Sequence, residues 1–126
     1  MIETLAIVSC VILLGLTLFQ LALIFGAPIG KYSWGGAHAI LPLNLRIGSA
    51  ISILLYGIFA VIILSKAEIM MFLSDRTITN MGIWILAIYF CIGVVMNVIS
   101  RSKPERNLMT PVALILAIST LLIAAQ

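Results

Sequence analysis

The sequence predicts an all-α fold, in which four membrane-spanning helices form a bundle that is a single domain. Of the 126 residues, 63% are hydrophobic and 9% are charged, whereas soluble domains carry about 25% charged residues. Four apolar stretches each approach the ~20 residues needed to cross a hydrocarbon core of ~30 Å. Because backbone groups in lipid need partners within their own segment, these stretches are predicted to be helices.

The predicted membrane helices cover residues 4–25, 47–64, 81–99 and 108–125. The first stretch lacks the basic start of a secretory signal peptide and carries Glu3 instead, which indicates a membrane helix. Ser102 and Glu105 have the spacing of a capping box, while Thr110-Pro111 offers a later start for the fourth helix. If the earlier start is used, Pro111 deprives the Asn107 carbonyl of its hydrogen bond and predicts a kink.

Three unequal connections join these helices. The first, residues 26–46, is rich in glycine and proline; the second, 65–80, contains an apolar run at 69–73 that is expected to lie in the membrane interface. The third, 100–107, is short and charged. Five basic residues lie in the first and third connections (Lys31, Arg46, Arg101, Lys103, Arg106) against Lys66 and Arg76 on the other side. This bias predicts that connections 26–46 and 100–107 are cytoplasmic and that the termini are outside.

Polar side chains converge at the end of the bundle near the first and third connections. Because a polar group in lipid is costly, Gln20 and Asn97 are expected to face the interior of the bundle or a wet cavity. Two or three arginines around it favour an anion such as a phosphate or carboxylate headgroup. The predicted ligand-binding residues of this vestibule are Gln20, Trp34, His38, Arg46, Asn97, Arg101, Glu105 and Arg106.

Structural roles are equally open for these residues. The arginines are also expected as interfacial anchors, and Trp34 as an aromatic residue of the interface. Gln20 and Asn97 are also suited to interhelical hydrogen bonds of about 0.6 kcal/mol, and Gly48 with Ser52 to close helix packing. His38 is suited to proton transfer, but as the single histidine it forms no haem or zinc site with others. No metal or cofactor is expected.

Two polar blocks of the sequence resemble those of a group of small four-helix bacterial membrane proteins. The first block contains APIG, WGG, LP and LRIGS within residues 27–49, and the second contains MNVISRS, ER and TPVA within residues 96–113. No activity is assigned to that group. The resemblance therefore implies a bacterial inner-membrane protein, with both blocks as group features, and no particular chemistry.

Three classes of function are compatible with these observations. The first is binding or transport of an anionic small molecule or lipid headgroup, and transport by so small a chain would require a homo-oligomer. The second is an accessory, assembly or immunity subunit that packs against a larger membrane complex. The third, an enzyme using His38 and Glu105 on a lipid substrate, ranks last because no catalytic motif supports it. Membrane lipids are expected partners, whereas the basic residues are too scattered to bind nucleic acid.

Overall fold

The computed structural model describes all 126 residues and confirms the predicted all-α four-helix bundle. The helices are α1 (Ile2–Ile24), α2 (Leu43–Lys66), α3 (Arg76–Val98) and α4 (Lys103–Ala124). Successive helices are antiparallel, and they are arranged in a ring in which α4 returns to pack against α1. The α3–α4 and α1–α2 interfaces are the most extensive, whereas α2 and α3 touch over a shorter length.

All four helices are long and apolar enough to cross a membrane. They contain 22 to 24 residues, and at about 1.5 Å per residue each one exceeds the ~30 Å hydrocarbon core. Their outer surface is apolar as well: Val11, Leu14 and Leu18 of α1 are 62%, 61% and 59% exposed. Such a surface suits contact with lipid rather than water. The chain is therefore a multi-pass membrane protein.

All four helices begin earlier than predicted, α1 by two residues and the other three by four or five. α2, α3 and α4 start at Leu43, Arg76 and Lys103, whereas the apolar pattern placed their starts at residues 47, 81 and 108. The predicted spans followed hydropathy alone. A helix, however, extends beyond its apolar region, and its first residue is set by the capping residue that precedes it. Asp75 provides such a cap, because its carboxylate accepts a hydrogen bond from the Ile78 N–H at 3.1 Å.

The earlier of the two possible starts of α4 is the one observed. Ser102 is the N-cap residue, and its hydroxyl accepts a hydrogen bond from the Glu105 N–H at 3.4 Å. The helix then continues through Pro111. The reciprocal half of a capping box is not formed, because the Glu105 carboxylate is bonded to Ser100 and Gly35 instead. Glu105 is thereby available to link α4 to another part of the chain.

The bundle is tightly packed in one half and open in the other. The packed half lies towards the second connection, where Leu13, Ile63, Ile83, Leu116 and Ile123 are almost completely buried. In the opposite half, α3 has no buried residue after Phe90 and α4 has none before Ala113. The side chains of four helices therefore do not fill this half by themselves.

The first connection, residues 25–42, folds against the open end. It contains two short 3₁₀ turns, Gly30–Tyr32 and Trp34–Gly36, and its backbone is left-handed at Trp34, Gly35 and Gly36. The Ser102 hydroxyl of α4 donates a hydrogen bond to the Lys31 carbonyl. A Cβ added at Gly36 would collide with the Ser102 side chain, so glycine is required for this close approach.

The second connection, residues 67–75, presents apolar side chains on its surface. Met70, Met71 and Phe72 are exposed, and the segment forms no helix. It is fixed to the end of α2 by the Leu73 N–H, which donates to the Ser65 hydroxyl at 3.1 Å. Its placement in the membrane interface stays a prediction.

Candidate ligand cavity

A cavity of about 730 Å³ lies inside the open half of the bundle. All four helices and the first connection contribute to its wall, which is mostly hydrophobic. Its rim on α3 includes Tyr89, Ile92 and Met96, which are also exposed on the outer surface of the bundle. The cavity is therefore open towards the side of the bundle, and we call it the side cavity. Its volume is within the range of sites that hold small molecules.

Aromatic rings form the boundary between the side cavity and the packed half. Tyr56, Tyr89 and Phe90 line the cavity. Behind them the Phe59 ring packs against Tyr89 and Phe90, with ring centroids 5.1 and 5.6 Å away. These distances are typical of favourable aromatic pairs. The side of the cavity that faces the packed half is therefore formed by aromatic rings, which are held in place by their contacts with Phe59.

Two buried polar groups on the cavity wall lack hydrogen-bond partners. Gln20 is only 8% exposed, and its side-chain nitrogen donates to the Tyr56 hydroxyl at 3.4 Å. Its side-chain oxygen has no partner, and neither has the hydroxyl of Ser33, which is also 8% exposed. An unpartnered buried polar group costs about 1–3 kcal/mol. Both atoms are themselves enclosed by the protein, so a bound molecule would offset this cost only by shifting these side chains.

Glu105 is the single charged residue of the cavity wall. One of its carboxylate oxygens accepts hydrogen bonds from the Ser100 hydroxyl at 2.6 Å and from the Gly35 N–H at 3.1 Å. No basic side chain donates a hydrogen bond to this carboxylate, whose donors are a hydroxyl and a backbone N–H. The carboxylate therefore ties the first connection to α4 and carries an unneutralised negative charge.

Trp34 joins the first connection to α2. Its indole N–H donates to the Ser49 hydroxyl at 3.3 Å, and a Cβ added at Gly48 would lie 2.7 Å from the ring atom Cη2. The interpretation of Gly48 and Ser52 as a site of helix–helix packing is therefore wrong. Gly48 makes room for an indole, and the Ser52 hydroxyl donates to the Gly48 carbonyl of its own helix at 3.0 Å.

The structure brings together half of the ligand-binding residues predicted from the sequence. Gln20, Trp34, Asn97 and Glu105 all line the side cavity. His38, Arg46, Arg101 and Arg106 do not line it. His38 and Arg101 are exposed. The amide nitrogen of Asn97 donates to the Gly93 carbonyl of its own helix at 2.9 Å.

Two of the arginines hold backbone carbonyls. Arg46 donates to the Leu41 carbonyl at 2.8 Å and to the Ile24 carbonyl, at the end of α1, at 3.4 Å. Arg106 donates to the Ser100 carbonyl, just beyond α3, at 3.0 Å. The last carbonyls of a helix have no partner inside the helix, and a basic side chain satisfies them well. These guanidinium groups are thus directed at the connections and not into the cavity.

The sequence reasoning missed several parts of the wall and a second polar region. Tyr56, Tyr89 and Phe90 lie within apolar stretches and have no local pattern that distinguishes a cavity wall from a core. At the opposite end of the bundle, the Lys66 ammonium donates to the Asn80 side-chain oxygen at 2.7 Å beside a recess of about 840 Å³. Polar groups are thus present at both ends of the bundle. The contact between Lys66 and Asn80 could not be predicted, because the two residues are far apart in the sequence and form no recognisable motif.

The side chains that could ligate a metal are dispersed. No three His, Cys, Asp or Glu residues lie close enough together to hold a metal ion. Cys10 and Cys91 are free thiols that are half-buried in different helices. The acceptor groups of the side cavity belong to a carboxylate, two amides and hydroxyls, and they suit hydrogen bonding to an organic ligand.

The fold and the cavity define a class of protein: a small multi-pass membrane protein with a cavity open to the side of its helix bundle. No protein-family model matches the chain, and no curated protein or solved structure is significantly similar to it. The resemblance to a group of small bacterial membrane proteins thus stays a prediction.

Proposed function

We propose that this protein binds a small lipophilic molecule in the side cavity. The observation that carries the proposal is a cavity of about 730 Å³ whose wall combines apolar and aromatic side chains with a few polar groups, two of them buried without partners. This combination is typical of sites for small molecules, in which the apolar wall supplies affinity and the polar groups fix orientation. The opening at the side gives a ligand access from the bilayer.

Binding is better supported than conduction by a single copy. The packed half of the bundle places buried side chains such as Ile63, Ile83 and Ile123 between the side cavity and the opposite membrane face. A continuous pathway across one bundle would have to pass through this core. Transport therefore would require a rearrangement or a homo-oligomer, in which several copies form the pathway between them.

The anionic ligand expected from the arginines stays a prediction, and the exposed basic residues at the open end support a position for it outside the side cavity. Lys31, Arg101 and Lys103 are exposed at the open end of the bundle and have no carboxylate partner. They are suited to contact phosphate headgroups at the membrane surface. The side cavity itself carries the opposite charge.

The membrane and the orientation are part of the proposal. We propose the bacterial inner membrane, with connections 26–46 and 100–107 in the cytoplasm, on the basis of the basic residues at that end. Cysteine labelling of intact cells tests the orientation at two exposed positions, His38→Cys and Ser74→Cys. Labelling of Ser74→Cys alone by an impermeant reagent is expected, and labelling of His38→Cys alone would reverse the assignment.

A variant that fills the side cavity tests ligand binding directly. A Cβ added at Gly93, which lines the cavity, would have no neighbour within 4 Å. Gly93→Phe is therefore expected to occupy the ligand space without disturbing the fold. Gly15→Phe is the matched control, because Gly15 is also free of neighbours but lies outside the cavity.

Native mass spectrometry of protein extracted with mild detergent from its own membrane provides the readout. The wild type and Gly15→Phe are expected to retain a defined extra mass that Gly93→Phe has lost. If all three proteins show only a mixture of bulk lipids, or no adduct, the proposed function is wrong.

An accessory role is the second candidate. An apolar groove of about 540 Å³ runs along the outside of α2 and α3, where Gly57 and Gly82 leave a depression between Leu54 and Ile78. Small residues at such a surface permit close approach of another membrane helix. Purification of a tagged copy in mild detergent tests this role: a stoichiometric second protein, lost in Gly57→Leu, would support it, and recovery of this chain alone would exclude it.

A further inference from the structure

The charge of the side cavity limits the chemistry of its ligand. Glu105 lines the cavity, and its carboxylate is bonded to a hydroxyl and a backbone N–H, not to any of the basic residues that flank it in the sequence. The Arg106 guanidinium is bonded to the Ser100 carbonyl, while the side chains of Arg101 and Lys103 are exposed. The cavity thus has one formal negative charge and no positive charge. A partly apolar surrounding strengthens the attraction of such a charge for a cation.

The neutral polar groups of the cavity favour the same chemistry. The unpartnered Gln20 side-chain oxygen is an acceptor, and Gln20 is more than nine-tenths buried. Ser33, buried to the same extent, offers an unpartnered hydroxyl on the first connection. Both residues line the side cavity together with Glu105. The three groups come from α1, the first connection and α4. A small shift of the Gln20 and Ser33 side chains, whose oxygens are enclosed, would offer all three to a ligand that carries N–H or O–H donors.

The aromatic side chains provide a third, independent argument. Tyr32, Trp34, Tyr56, Tyr89 and Phe90 all contribute to the wall. The face of an aromatic ring carries partial negative charge, so rings attract organic cations and pack against their apolar substituents at the same time. A ligand with a cationic head and an apolar body would therefore use every part of the wall.

We propose that the ligand of the side cavity is a lipophilic organic cation, an amine or quaternary ammonium compound with an apolar body. Its head lies at Glu105, near the open end of the bundle. Its body extends along α4 towards Leu116, about 16 Å deeper at 1.5 Å per residue, and it contacts the rings of Tyr89 and Phe90. This inference rests on the proposed function, because it names the class of molecule that the same cavity binds.

Three probes of one shape test the sign of the charge. Tetraphenylphosphonium, tetraphenylborate and tetraphenylmethane each carry four phenyl groups on one central atom, with charges of plus one, minus one and zero. Binding to protein in nanodiscs is measured by quenching of Trp34 fluorescence, with empty nanodiscs to correct for partition into lipid. The Trp84→Phe variant leaves Trp34 as the single tryptophan, and Trp84 does not line the side cavity.

We expect saturable binding of the phosphonium with a Kd at least about tenfold below those of the other two probes. Glu105→Gln is expected to raise the phosphonium Kd about tenfold, because the amide oxygen still accepts hydrogen bonds from Ser100 and Gly35 but the charge is gone. Glu68→Gln is the matched control, since this exposed carboxylate lies at the opposite end of the bundle. If Glu105→Gln does not fold, the comparison of the three probes on protein that retains Glu105 still tests the sign of the charge.

The possible outcomes separate the ligand class from the proposed function. Equal or tighter binding of the borate or of the neutral probe, without dependence on Glu105, would overturn the cationic ligand and leave the cavity as a binding site. Failure of all three probes to bind saturably would overturn the proposed function as well. Selective, Glu105-dependent binding of the phosphonium would establish both.

Discussion

The indole of Trp34 occupies the space that a side chain at residue 48 would need. A Cβ on Gly48 would lie 2.7 Å from Cη2 of this ring, and the indole N–H is bonded to the neighbouring Ser49 hydroxyl. The first connection is thereby fixed to α2 by Trp34 and to α4 by Glu105 and Ser102.

Gly48→Ala is expected to displace the Trp34 ring. The added methyl group would overlap the indole, and because the ring belongs to a connection it is expected to move rather than to force α2 aside. In the Trp84→Phe background, the emission of Trp34 should shift to longer wavelength. Gly15→Ala, which adds a methyl group to open space, should leave the emission unchanged; equal spectra for both variants would contradict the packing described here.

Arg46→Gln is expected to lower the free energy of unfolding by about 1.5–3 kcal/mol. It removes charged hydrogen bonds to the Leu41 and Ile24 carbonyls, and half-buried carbonyls without partners are costly. Unfolding of the purified protein in detergent by increasing SDS provides the measurement. Arg101→Gln, at an exposed residue, should change stability by less than about 0.5 kcal/mol. Similar losses for both arginines would mean that the capping role is wrong.

Ser102→Ala is expected to loosen two segments at once. Its hydroxyl caps α4 through the Glu105 N–H and also donates to the Lys31 carbonyl, and loss of an N-cap costs about 1 kcal/mol. Hydrogen exchange should accelerate both in residues 103–106 and in residues 30–36. Ser74→Ala, at an exposed serine of the second connection, should accelerate neither segment. Faster exchange in α4 alone would show that the contact with the first connection contributes nothing.

Pro111→Ala is expected to stabilise α4. Pro111 lies inside the helix and is exposed on the outer surface, so alanine restores a backbone hydrogen bond to the Asn107 carbonyl without altering the core. A proline in a helix interior costs up to about 3 kcal/mol, and a gain of roughly 1–3 kcal/mol should be seen in SDS unfolding. Leu114→Ala, an exposed position on the same helix, controls for the change of outer surface. A lower stability for Pro111→Ala than for the wild type would contradict this prediction. It would mean that the backbone conformation imposed by Pro111 contributes to the packing of α4.

The number and order of the helices could be predicted because membrane helices satisfy their own backbone groups and reveal themselves by hydropathy. Their starts could be predicted less well, since caps such as Asp75 and Ser102 lie outside the apolar pattern. Ser102 and Glu105 had the right spacing for a cap. The spacing could not show that the Glu105 side chain would reach Gly35, which lies far away in the sequence.

The cavity was foreseeable only in part. Gln20 and Asn97 stood out because polar residues are rare in lipid, and both line the cavity. The direction of a guanidinium group is not encoded locally, so the arginine content suggested an anion site although Arg46 and Arg106 hold carbonyls. Tyr56 and Phe90 could not be distinguished from core residues, because aromatic side chains in an apolar helix look alike whether they face lipid, core or cavity.

The attachment of the first connection to α4 has a consequence for biosynthesis. Residues 25–42 leave the ribosome before Ser102 and Glu105, the N-cap and first-turn residues of α4 that hold them. Until α4 is inserted, the connection lacks its hydrogen bonds to Ser102 and Glu105, and the α1–α2 hairpin lies in the bilayer without its partner helices. The wall that surrounds the side cavity is therefore completed only after α4 has been inserted, when the α3–α4 hairpin docks onto the α1–α2 hairpin.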